Sequence, residues 1–156
     1  MQPNWSFLFR HPAHLLAFGF GAGLAPKAPG TAGTLVALPL YFLLVPFGHW
    51  YWLAVAVALF VGIWACGVAG RALGVHDHGG IVWDEIAAFL LVLPFAPQSL
   101  VGFALAFALF RLFDIWKPFP IRWFDRQVPG GLGVMLDDLL AAAYAILCLM
   151  GIATWL

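Results

Sequence analysis

Ala54-Val55-Ala56-Val57-Ala58-Leu59-Phe60-Val61-Gly62-Ile63-Trp64-Ala65-Cys66-Gly67-Val68-Ala69 carries no charged side chain, and its reading decides the fold. A run of this length and apolarity, between Trp50-Tyr51-Trp52 on one side and Arg71 on the other, reads as a membrane span. The composition agrees. Of 156 residues 64% are hydrophobic, including 8 Trp and 15 Phe, more apolar side chain than one small soluble core can bury. Seven Lys plus Arg balance seven Asp plus Glu, so no bulk field recruits nucleic acid or polyanions, and the charges matter by position.

Towards the N-terminus, Thr31 to Phe47 is a further span, with a kink expected at Pro39. Residues 1–30 carry glycines and prolines well short of bilayer length, which predicts a short helix and a loop in a re-entrant or interfacial segment. Arg10 ahead of this run loosely resembles a signal peptide, but the interruptions make a cleavable one unexpected. Towards the C-terminus, the apolar run after Glu85 ends by Pro97 and is too short to span unaided, so it predicts a half-span or a hairpin with Leu100–Phe113. Arg111–Arg126 is polar and contains Pro118 and Pro120, which should break any helix. A glycine-rich turn, Pro129–Gly133, then leads through Asp137-Asp138 to a last span, Leu139–Leu156. The expectation is an all-α, polytopic membrane bundle of about four to five membrane helices forming one domain, 1–156.

Alternating these elements puts Arg10, Lys27, Arg71, Arg111, Lys117, Arg122 and Arg126 on one side, because the turns at Gly48 and Gln98 carry no Lys or Arg. By the positive-inside rule that side is cytoplasmic, and all seven acids share it. Cys66 and Cys148 lie in apolar runs, where a thiol behaves as a small hydrophobe. Neither supports a disulfide framework or a zinc pattern.

His76-Asp77-His78-Gly79-Gly80-Ile81-Val82-Trp83-Asp84-Glu85 is the polar island of this chain. The adjacent acids Asp84-Glu85 and Asp137-Asp138, at the mouths of two apolar helices, are costly unless paired or bound to a cation. Carboxylates gathered from helix ends suit Mg2+, and the competing reading is helix-start charges paired with nearby arginines. His76 or Asp77 could transfer a proton, or the loop could only cap the next helix. Arg111 and Asp114 share a helix face at i,i+3, and Arg122 with Asp125 and Arg126 repeats the spacing, where an ordinary structural ion pair is the better reading for Asp125 and Arg126. Lys117 and Arg122 flank a Pro-x-Pro turn where a lipid headgroup would sit. The glycines around Lys27 do not form a Walker loop, though backbone amides there could hold a phosphate. With Ser6 and Ser99 the only serines, a serine nucleophile is all but excluded and metal-assisted hydrolysis fits the inventory best.

Four segments together resemble the bacterial phosphatidylglycerophosphatase A family: Gly21-x-Gly23-Leu24-x-Pro26-x-x-Pro29-Gly30-Thr31, Val75–Glu85, Asp114-x-Trp116-Lys117-Pro118-x-Pro120-Ile121-Arg122 and Gly130-Gly131-x-Gly133-x-Met135-x-Asp137-Asp138. The resemblance runs from about His11 to the end and covers every polar segment in order. It implies an inner-membrane phosphatase that uses magnesium to convert phosphatidylglycerophosphate to phosphatidylglycerol. On that reading Asp84, Glu85, Asp137 and Asp138, with Asp114 in reserve, hold Mg2+. His76 or Asp77 handles the proton, and Lys27, Arg111, Lys117 and Arg122 grip the phosphate. Intramembrane acids also mark ion routes, so a small transporter is the alternative, with an inert assembly subunit behind it. A transporter would spread its acids through the membrane depth, and here they crowd one face. The oligomeric state is left open.

Overall fold

A computed structural model describes residues 2–155; Met1 and Leu156, the expected ends of the domain and of the last span, lie outside the described residues. Eight α-helices follow one another: α1 (Trp5–Leu8), α2 (Pro12–Ala17), α3 (Pro29–Leu44), α4 (Trp50–Leu73), α5 (Trp83–Val92), α6 (Leu100–Trp116), α7 (Ile121–Gln127) and α8 (Gly130–Ala153). No strand occurs among the described residues, so the all-α expectation holds. Three stretches are long and apolar enough to cross a membrane: Pro29–Phe47, Trp50–Leu73 and Gly130–Ala153, of 19, 24 and 24 residues. The protein is a polytopic helical membrane protein.

Local chemistry sets the boundaries. Asn4 caps α1, His11 caps α2 ahead of Pro12, and Ser99 caps α6, each accepting a backbone N–H of the first turn. Gly74 and Lys117 close α4 and α6 in the left-handed region, at φ 68° and 51°. Pro39 is accommodated inside α3.

α5 is the hub, packed against α3, α4, α6 and α8. Ile86 through Leu90 are all buried, as a short helix apolar on every side must be. It is a ten-residue helix within the bundle, joined to the 17-residue α6 by a tight turn, so the pair forms a hairpin. Its start is pinned where Val82 donates to the Ala17 carbonyl at 2.8 Å and the Trp83 indole donates to the Ala58 carbonyl at 2.9 Å. Near its far end, the Tyr51 hydroxyl donates to the Leu90 carbonyl. Asp84 and Glu85 therefore ride on a fixed support.

Two boundaries differ from the sequence expectation. Pro118 and Pro120 end α6 but do not prevent α7, because Pro120 sits just before the helix, where its missing N–H costs nothing. And α8 starts at Gly130, not Leu139. Two of the three glycines read as a turn are packing positions: a Cβ on Gly131 would strike the Ile63 carbonyl of α4, and one on Gly133 the Val128 carbonyl and the His76 ring, while Gly130, at φ 74°, makes the turn itself. Asp137 thus lies seven residues past Gly130, about two turns inside the helix instead of at its mouth. Gly131→Ala should force α8 off α4 and lower stability by about 1–3 kcal/mol, read as a fall in thermal midpoint in detergent.

Candidate active site

The N-terminal ends of α3 and α5, a segment of α8 about two turns in from its start and the C-terminal end of α6 meet with the 77–81 loop around a cavity of about 290 Å³. Its walls carry Asp77, Asp84, Glu85, Asp114, Asp137 and Asp138 against two cations, Arg111 and Lys117. The seventh acidic side chain, Asp125, reaches the Lys117 ammonium at 3.4 Å, so every Asp and Glu of the sequence is gathered at one place.

Each cation serves a pair of acids. Arg111 donates through Nη1 to Glu85 at 2.9 Å and also to Asp114. Lys117 donates to Asp137 at 2.7 Å, with Asp125 beyond. The αL turn at Lys117 aims its chain back into the bundle instead of along the axis of α6. Burial alone would lower the Lys117 pKa, but the Asp137 carboxylate, helped by Asp125 and Asp77, outweighs that and holds it above the usual lysine value. The ammonium stays charged. Asp77 keeps a solvent-facing edge, yet the protein packed around it raises its carboxyl above the ordinary range, against the pull of Lys117.

Two cations cannot balance this many acids. Asp84, Asp137 and Asp138 are only 5%, 3% and 2% exposed. Asp84 Oδ1, Glu85 Oε2, Asp137 Oδ1 and Asp138 Oδ2 are buried with no hydrogen-bond partner. An ionised oxygen in that state is strongly unfavourable unless a cation meets it. Oxygens of Glu85, Asp114 and Asp138 lie within 4.8 Å of one another, as do those of Asp77, Asp125 and Asp137. Each group of three could hold a metal ion, and the donors are all hard carboxylate oxygens.

The structure brings together Asp77, Asp84, Glu85, Arg111, Asp114, Lys117, Asp137 and Asp138. It places the other sequence-selected residues around them. Lys27 is exposed, next to Ala28 of the cavity wall. His76 faces away: its Nδ1 accepts from Gly130 N at 3.1 Å and it lines a separate, largely apolar cavity. Arg122 lies in a neighbouring cavity that Lys117 also lines. Asp125, read from the sequence as an ordinary ion-pair residue at i,i+3 from Arg122, faces Lys117 instead. Ile121, Phe124, Asp125 and Val128 follow the i, i+3, i+4, i+7 pattern and point inward, whereas Arg122, Trp123 and Arg126 are exposed. That spacing was the available signal. Asp125→Asn should loosen the grip on Lys117 and cost a few tenths to about 1 kcal/mol, as expected for a half-exposed ion pair, measurable as a modest fall in thermal midpoint.

The sequence that builds this site has counterparts among known proteins. The phosphatidylglycerophosphatase A family model matches residues 15–153. The chain belongs to this family. It is 46% identical over 134 residues to phosphatidylglycerophosphatase A of Escherichia coli K12, covering 84% of this chain and 77% of that protein. The same-named protein of Haemophilus influenzae is 44% identical over 149 residues, covering 94% of this chain and 91% of the other. A Bacteroides thetaiotaomicron relative whose name provisionally assigns a phosphatidylinositol-3-phosphatase is 40% identical over 151 residues, covering 90% and 92%. No solved structure matches the chain. The matched span takes in every residue that lines the acidic cavity.

Proposed function

We propose that the protein is a magnesium-dependent lipid phosphatase that removes the terminal phosphate of phosphatidylglycerophosphate, giving phosphatidylglycerol. The observation that carries this reading is the set of four buried, unpartnered oxygens on Asp84, Glu85, Asp137 and Asp138, beside two cations at the mouth of a membrane bundle. Of these carboxylates Glu85 and Asp138 lie with Asp114 in one group close enough to share an ion, and Asp137 lies in a second with Asp77 and Asp125; with Asp84 beside them they would hold Mg2+, which takes a few carboxylates together with phosphate and water. Bound there, it would supply Lewis-acid polarisation of the phosphoryl group and a more acidic water.

The chain's own groups do the rest. Lys117, held charged by Asp137, and Arg111, anchored by Glu85 and Asp114, present N–H donors to the phosphate oxygens as negative charge is redistributed. The amide end of α3 at Ala28–Gly30 faces the same cavity and favours an anion. Lys27 adds charge at the rim. Asp77, with its raised pKa and its place on the cavity wall, is better positioned to move the proton than His76, which is engaged at the start of α8. The acyl chains stay in the bilayer, and the headgroup alone enters.

Basic residues crowd this end of the bundle, which supports a cytoplasmic-facing site in the inner membrane. The test is purified protein in detergent micelles containing phosphatidylglycerophosphate and Mg2+. Phosphate and phosphatidylglycerol should appear in equal amounts. Absence of turnover on any lipid phosphate, together with ion flux in vesicles, would overturn the reading in favour of a transporter.

A further inference from the structure

Lys117 lines two cavities. Besides the acidic one, it edges a cavity of about 530 Å³ whose walls include Trp116, Phe119, Arg122, Trp123 and Arg126. The two are opposite in charge. Every Asp and Glu side chain lines the acidic cavity or pairs with Lys117, and none lines the second cavity. Among the described residues neither Arg122 nor Arg126 has a carboxylate within ion-pair reach, and Arg122 makes only a 3.3 Å bond to the Trp116 carbonyl.

The aromatic members are unusually bare: Trp116 is 57%, Phe119 80% and Trp123 52% exposed. They cluster at and just past the C-terminal end of α6, at the polar end of the bundle, a position that suits rings settling in a headgroup layer. Two unpaired guanidinium groups among rings at that depth suit a group that is anionic and attached to apolar chains. A guanidinium matches a phosphate through paired N–H donors, and the rings suit the glycerol and the first acyl carbons.

We propose that this second cavity binds the phosphodiester of an anionic glycerophospholipid, so that Arg122 and Arg126 hold the inner phosphate while the terminal phosphomonoester lies beyond Lys117 in the acidic cavity. The inference rests on the phosphatase reading and adds a specificity subsite to it. Arg122 then serves the inner phosphate, not the transferring one. A lipid with both phosphates occupies both cavities at once, and a lipid carrying only one occupies only one.

The test pairs direct binding with kinetics. Native mass spectrometry of the detergent-solubilised protein would compare retention of phosphatidylglycerol, which keeps the diester, with diacylglycerol, which has no phosphate. Phosphatidylglycerol should be retained preferentially by the unaltered protein, and Arg126→Gln should weaken its binding about tenfold, the loss of one charged hydrogen-bonding partner. Arg126→Lys should recover part of it. Arg126 is exposed, so its loss removes no core packing. In turnover, Arg126→Gln should raise KM for phosphatidylglycerophosphate about tenfold with kcat within about twofold, while inhibition by inorganic phosphate stays unchanged. Equal retention of diacylglycerol, unaltered phosphatidylglycerol binding in Arg126→Gln, or parallel weakening of inhibition by free phosphate would each overturn the proposal. The binding arm needs no turnover, so failure of the phosphatase reading would show separately, as absent hydrolysis.

Discussion

Asp84→Asn should lower phosphate release from phosphatidylglycerophosphate by about a thousandfold while leaving the protein folded. The amide has the shape of the carboxylate, so the packing around α5 is retained. What disappears is one negative charge whose Oδ1 has no partner within the protein. Such a charge, 5% exposed and surrounded by Glu85, Asp137 and Asp138, works against folding unless a cation is present. The thermal midpoint of the metal-free variant should therefore equal or exceed that of the unaltered protein, and its rise on adding Mg2+ should shrink. An Asp84 with a purely structural role would behave the other way, losing stability and keeping its rate. A fully active Asp84→Asn protein would remove Asp84 from the site.

Lys117→Met should be the second severe variant, and it should fail in two ways at once. The methionine keeps the length of the stem but removes the donor to Asp137, which is 3% exposed and accepts from that ammonium at 2.7 Å. Leaving the acid unpaired should cost about 1–3 kcal/mol of stability in metal-free protein. Turnover should fall about a hundredfold or more, because the same ammonium is placed to meet the phosphate. Added Mg2+ should restore part of the midpoint and little of the rate. That split separates the two duties of Lys117, and recovery of both together would show that it acts only as a partner of Asp137.

Much of the fold was legible because bilayer length and apolarity are written residue by residue. The run Ala54–Ala69 named the class, and the brevity of the run after Glu85 marked α5 as something other than a full span. The convergence of Asp84-Glu85 with Asp137-Asp138 followed from counting turns and sides. The pairing of Arg111 with Asp114 followed from their i,i+3 spacing. What was hidden depends on tertiary contact. Gly131 and Gly133 look like part of a turn until Ile63 of α4 is placed against the first and Val128 and His76 against the second, and those contacts join residues distant in sequence or on a neighbouring loop. Asp125 was concealed because α7 is only seven residues long, too short for its inward face to stand out beside two prolines. His76 has the right chemistry for proton transfer, but its use by Gly130 is a contact between residues 54 apart in sequence.

The measurement that bears most directly on the buried acids as a magnesium site is phosphate release from phosphatidylglycerophosphate by purified protein, before and after chelation. Activity should vanish with chelator, return on adding excess Mg2+, and fail to return in Asp84→Asn. Robust turnover in the continued presence of chelator would contradict the account.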